Sequence, residues 1–139
     1  MKLRTSFTFD AAHRLVGYEG KCSNLHGHIW KVIVGISGTE KDLDSVGMLW
    51  DFTNVKKLKE LLDHKTILKE CEENIGLTNA IRATCNFSEE NDPIYLMKEN
   101  PTAENLCEEI IKHLKTSNPD LKYGVKVYES PKSYAEVIR

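Results

Sequence analysis

The sequence lacks the features that mark several large classes of protein. No apolar run approaches the ~18 residues that a membrane span needs, so no membrane partner is expected. Met1-Lys2-Leu3-Arg4 leads straight into alternating sequence without the apolar stretch of a signal peptide, and a cytoplasmic location is expected. Basic residues are not in surplus: 19 Lys and Arg stand against 21 Asp and Glu, a formal net charge of −2. Nothing in that balance argues for a nucleic-acid partner. The four cysteines, Cys22, Cys71, Cys85 and Cys107, show no C-x-x-C spacing. They read as thiols in a reducing compartment, not as a disulfide framework. Internal repeats and low-complexity segments are also absent. What is present is a globular composition, 40% hydrophobic and 29% charged over 139 residues, enough for a single domain with a real core.

Leu3, Thr5, Phe7, Phe9, Ala11 and His13 fall on one face of an alternating segment. This predicts a strand whose inward face ends in an imidazole. Residues 17–20 read as a loop. A second strand is expected over about 26–37, with His26, His28, Trp30, Val32 and Val34 on one face. Residues 38–47 read as a hairpin or loop, and 48–50 as a short extended stretch. Val55, Leu58, Leu61 and Leu62 share one side of a helical pattern that Asp51 or Thr53 would cap and that ends near Leu62-Asp63-His64. The polar stretch 69–92 reads as a long loop or insertion with room for one short helix, and 94–97 as a short strand. Leu106, Ile110 and Leu114 recur every four residues in a second helix, capped by Thr102 and stopped by Asn118-Pro119. Val125, Val127 and Glu129 share a face of a third strand, and 134–138 form the last. The order ββααββ predicts an α+β fold, a largely antiparallel sheet with two helices on one face. The unpaired edges of such a sheet make a homo-oligomer the expected state.

The chemistry-bearing residues cluster around His26-Gly27-His28. In His-x-His on a strand both imidazoles point to one face. With His13 they make three neutral nitrogen ligands, which suit zinc better than magnesium or calcium. Three ligands with an open fourth position is the catalytic zinc pattern. Cys22, four residues before His26, has three readings. It is an acid/base or nucleophile whose thiolate a nearby cation would favour, a fourth ligand that closes the site, or a spectator thiol. Asp63-His64 reads either as a helix end that welcomes positive charge or as a carboxylate orienting an imidazole that relays protons to Cys22. Glu129, if it points inward with Val125 and Val127, needs a partner. A ligand with two adjacent N–H donors would satisfy it; a lysine partner or an outward register is the alternative. Glu104 lies in the first turn of the second helix, where the dipole favours a carboxylate whatever its function.

Five motifs carry a family resemblance: Phe9-Asp10-Ala11-Ala12-His13-Arg14, Cys22-Ser23-Asn24-Leu25-His26-Gly27-His28, Leu62-Asp63-His64, Pro101-Thr102-Ala103-Glu104-Asn105 and Val127-Tyr128-Glu129-Ser130. Their kind and order resemble the 6-pyruvoyl-tetrahydropterin synthase family over nearly the whole chain, apart from about 69–92. The resemblance implies the tunnelling fold, in which subunits join their sheets into barrels, with a hexamer and active sites between subunits. It implies zinc on His13, His26 and His28, and Cys22 as the catalytic thiol supported by Asp63 and His64. It also implies Glu129 as the carboxylate that anchors a pterin substrate, with Thr102 and Glu104 near that pocket. The three-residue spacer between Cys22 and His26 is similar to the bacterial branch, which contains 6-carboxy-5,6,7,8-tetrahydropterin synthase of queuosine biosynthesis. The implied activity is therefore a zinc lyase acting on 7,8-dihydroneopterin triphosphate. The pyruvoyl-forming reaction and a non-catalytic pterin-binding module with structural zinc are the alternatives. Leu68 stands where the family usually has Asn.

Overall fold

Alternation builds the first two elements of the computed structural model, which describes residues 1–139. β1 (Lys2–His13) and β2 (His26–Ser37) form an antiparallel ladder in unbroken register from Lys2↔Ser37 to His13↔His26. Every second side chain faces the core: Phe9, Ala11 and His13 from β1, and Trp30, Val32, Val34 and Ile36 from β2. Phe9 and Trp30 are register partners whose rings stack with centroids 5.9 Å apart. Downstream, α1 (Asn54–Leu62) and α3 (Ala103–Ser117) bring their apolar stripes to the same face, and β5 (Lys122–Ser130) and β6 (Ser133–Ile138) extend the sheet antiparallel beyond β2. Leu58, Leu62, Leu106, Ile110 and Leu114 join the inner face of the sheet in one cluster of 21 buried residues. Burying side chains of this size contributes roughly 1.5–3 kcal/mol each.

The helix starts differ in their chemistry. Thr102 caps α3 as the sequence predicts, its Oγ1 accepting from the Asn105 N–H at 3.2 Å. Thr53 precedes α1 but makes no side-chain cap bond; Asp51 turns the chain just before it, its carboxylate accepting from the Thr53 N–H at 2.8 Å. The 48–50 stretch is not a strand, yet Leu49 and Trp50 bury their side chains in the core.

The α+β class stands, with two corrections to its detail. The sheet is mixed, six strands in the order β4-β3-β1-β2-β5-β6. β3 (Lys65–Lys69) runs parallel to β1, and β4 (Ile94–Met97) parallel to β3. β3 shows no alternation because both its faces are covered: Ile67 and Leu68 are adjacent and fully buried. The 69–92 stretch does hold the one short helix it has room for, which makes three helices and not two. It carries a short 3-10 turn (Glu72–Asn74) and a third helix, α2 (Ile75–Thr84). A parallel pair such as β3 and β4 requires a crossover of this kind, since a tight hairpin cannot return the chain in the same direction. The helix is hard to read from sequence because its apolar face is short: Leu77 and Ile81 are only half-buried, and Thr78 is its one buried residue. A bidentate Arg82–Asp92 ion pair ties its end to the entry of β4.

Candidate active site

The β1–β2 register decides where the histidines go. His13 and His26 are direct partners at the end of the hairpin where the 14–25 connection begins and ends, and His28 sits opposite Ala11 on the same face. The three imidazole centroids lie 4.6, 5.1 and 4.9 Å apart. Trp30 forms the floor beneath them, edge-on to both His13 and His28.

Hydrogen bonds settle which nitrogen of each ring is free. His13 Nδ1 bonds the Pro101 carbonyl at 2.8 Å, and His26 Nδ1 bonds the Asn24 carbonyl at 2.7 Å. A carbonyl only accepts, so both rings carry the proton on Nδ1 and present an Nε2 lone pair. Those two Nε2 atoms face each other at 3.1 Å. Between neutral rings that contact is two lone pairs meeting, which a shared cation would relieve. His28 Nε2 is buried and lies 3.2 Å from Glu129 Oε1, without the alignment of a hydrogen bond. Burial lowers the pKa of His13 and His28 below the ordinary 6.5, which keeps both neutral and able to donate lone pairs. The ligand atoms of His13, His26, His28 and Glu129 all lie within 4.8 Å of one another. Imidazole nitrogens with one carboxylate fit a transition-metal dication far better than calcium or magnesium.

A cavity of about 460 Å³ opens beside this cluster. Its walls include Cys22, His28, Thr102, Glu104, Glu129 and Tyr134. Cys22 is delivered by a 3-10 turn (Lys21–Ser23), and its carbonyl accepts from the Leu15 N–H at 2.9 Å. Its sulfur falls outside the set of mutually close ligand atoms, whose fourth member is a carboxylate oxygen of Glu129. Glu129 points inward with Val127, and an irregularity between Tyr128 and Ser130 leaves it without a partner on β6. Thr102 and Glu104 reach the cavity from the first turn of α3.

Asp63 and His64 are brought together, but elsewhere. Asp63 accepts from the Asp10 N–H at 2.9 Å and lies 3.1 Å from His64 Nδ1. His64 has the left-handed φ of 59°, held by its own N–H bonding the Asp10 carbonyl at 2.7 Å. Its ring is 79% exposed over a shallow depression that also includes Asp10, Gly27 and Lys65, and Cys22 does not line it. The Asp10 amide, and then His64, hold the Asp63 carboxyl below the ordinary 3.8. A depressed carboxylate contributes stability that is fully present above its unfolded pKa and lost as pH falls through the folded one. Asp63→Asn is therefore expected to lose less stability than the parent on acidification below about pH 4, read from urea midpoints.

Sequence reasoning named the imidazoles but not the carbonyls of Asn24 and Pro101 that orient them. Nor did it find Tyr134, Ser130 and Ser133 on the cavity wall. The Asn-Pro-Thr run before α3 was the available signal, legible as a helix start and silent about His13.

Residues 2–139 match the sequence profile described as 6-pyruvoyl tetrahydropterin synthase. The 6-carboxy-5,6,7,8-tetrahydropterin synthase of Rickettsia bellii is 32% identical over 146 aligned residues, covering 99% of each chain. The protein of the same name from Haemophilus influenzae is 31% identical over 144, covering 97% of this chain and 96% of its own. The solved structure of 6-pyruvoyl tetrahydropterin synthase from Plasmodium falciparum superposes with a TM-score of 0.64 at 21% identity, over 99% of this chain and 98% of that one. That likeness is one of fold, and the fold is the tunnelling fold. On the profile match and the two full-length relatives, the chain belongs to the 6-pyruvoyl tetrahydropterin synthase family.

Proposed function

We propose that the protein is a zinc-dependent lyase that converts 7,8-dihydroneopterin triphosphate and one water to 6-carboxy-5,6,7,8-tetrahydropterin, releasing acetaldehyde and triphosphate, on the route to queuosine. The observation that carries this reading is the cluster of His13, His26, His28 and Glu129, whose ligand atoms lie within 4.8 Å of one another beside a cavity that Cys22, His28 and Glu129 line. The names borne by the Rickettsia and Haemophilus relatives support the carboxy-forming product. The free state of all four cysteines supports a reducing, cytoplasmic setting, and no helix is long and apolar enough to cross a membrane.

His13, His26 and His28 would hold the zinc, which when bound supplies Lewis-acid polarisation of substrate oxygens. The remaining work falls to the chain's own side chains. Glu129 accepts two adjacent N–H groups of the pterin ring in a bidentate pair, and Thr102 and Glu104 flank it. Cys22, as thiolate, moves protons on the substrate side chain. Asp63 orients His64 as the second acid/base. Within one chain His64 and Cys22 line no common cavity. The complete site is accordingly assembled between copies in a homo-oligomer, a hexamer on the family pattern.

The test is anaerobic incubation of zinc-loaded protein with 7,8-dihydroneopterin triphosphate, read by mass spectrometry. Carboxytetrahydropterin with acetaldehyde is the expected result. Pyruvoyltetrahydropterin would move the protein to the sister reaction. Intact substrate, with zinc confirmed bound, would overturn both and leave a pterin-binding module.

A further inference from the structure

We propose that Asn100 is a positioning residue for the metal ligand His13, acting through the Pro101 carbonyl. The inference rests on the metal reading above and adds a residue to it. β1 ends at His13, and the chain just beyond it belongs to no strand. Here the Asn100 side chain takes the place of a strand neighbour. Its Oδ1 accepts from the Val16 N–H at 2.9 Å, and its Nδ2 donates to the Val16 carbonyl at 2.9 Å. Both hydrogen-bonding groups of one backbone residue are thus satisfied by one planar amide.

The other side of Asn100 is anchored as well. Its carbonyl accepts from the Thr102 N–H and from Asn105 Nδ2, each at 2.8 Å, which ties it to the start of α3. Pro101 lies between these anchors, with φ restricted by its ring. Its carbonyl is aimed at His13 Nδ1 across 88 residues of sequence. Between residues 13–16 and 100–102, the two Asn100 bonds and the His13–Pro101 bond are the only hydrogen bonds. Removing the amide unties residues 14–16 from the Pro101 carbonyl, which stays fixed to the start of α3, and the two can drift apart. His13 then loses both its fixed ring orientation and the bond that holds its proton on Nδ1. Outer partners of this kind typically govern metal affinity as well as ring orientation.

The experiment uses the full chain as wild type, Asn100→Ala, Asn100→Asp and Ile110→Val. Zinc affinity is measured by chelator competition, and the His13 tautomer of the metal-free protein by 15N NMR. Asn100→Ala is expected to weaken zinc binding about 10–100-fold and to show both His13 tautomers. Asn100→Asp keeps the acceptor for the Val16 N–H but sets a carboxylate oxygen against the Val16 carbonyl. It should lose as much affinity, and it serves if the alanine variant does not fold. Ile110→Val, a buried change on α3, should loosen packing while leaving affinity and tautomer as in wild type. Wild-type affinity with a single Nδ1–H tautomer in the Asn100 variants would overturn the proposal. An equal loss of affinity in Ile110→Val would overturn it too, because general loosening would then suffice. Failure of the wild type to bind zinc would sink the metal reading instead, and the tautomer would still decide whether Asn100 orients His13.

Discussion

Replacing Cys22 by Ala is expected to abolish turnover while zinc remains bound. The thiol lines the cavity with His28 and Glu129, yet its sulfur lies outside the cluster of mutually close ligand atoms. A group in that position can exchange protons with a bound substrate without being needed to hold the ion. Alanine also preserves the 3-10 turn, because the bond that fastens it runs from the Leu15 N–H to the Cys22 carbonyl. Losing a positioned acid/base typically costs 10²–10⁴-fold in rate. The measurement is kcat together with zinc stoichiometry on the same preparation. If the metal leaves with the thiol, Cys22 is a ligand and the acid/base role is lost with it.

Glu129→Gln should lower kcat/KM roughly 100-fold, chiefly through KM, with zinc affinity retained. Glu129 has two candidate duties, because it faces both the cavity and the imidazole cluster. Its Oε1 is 3.2 Å from His28 Nε2, which makes it available as a fourth metal donor. As pterin anchor it would instead accept two N–H groups. Glutamine keeps the shape but turns an NH₂ toward one of those donors. One charge-assisted pair is lost and one donor is left unpaired, about 3 kcal/mol or roughly two decades in kcat/KM. Substrate affinity and zinc affinity measured side by side separate the duties. Zinc lost with pterin binding intact would make Glu129 the fourth ligand, closing the metal centre and favouring a structural ion.

Much of this architecture is legible in the residues alone. The period-two runs through Phe9 and Trp30 define a hairpin and assign His13, His26 and His28 to its inner face. The four-residue recurrence of Leu106, Ile110 and Leu114 defines α3, and Thr102 marks its start. These features are local: side-chain direction along a strand or helix follows from backbone geometry, so residue order is enough. The same locality explains what was missed. β3 is buried on both faces and so has no alternation, while α2 buries only one threonine and offers a stripe of no more than Leu77 and Ile81.

The site divides along the same line. The sequence by itself singled out the candidate residues: the three histidines, Cys22, the Asp63-His64 pair and Glu129. Only the tertiary structure decided how they are grouped. It placed Glu129 against His28, kept His64 away from the Cys22 cavity, and set the Pro101 carbonyl on His13. Each of these depends on segments far apart in the chain meeting through strand register and helix packing. No local periodicity encodes such meetings, because they are settled by the packing of the sheet as a whole.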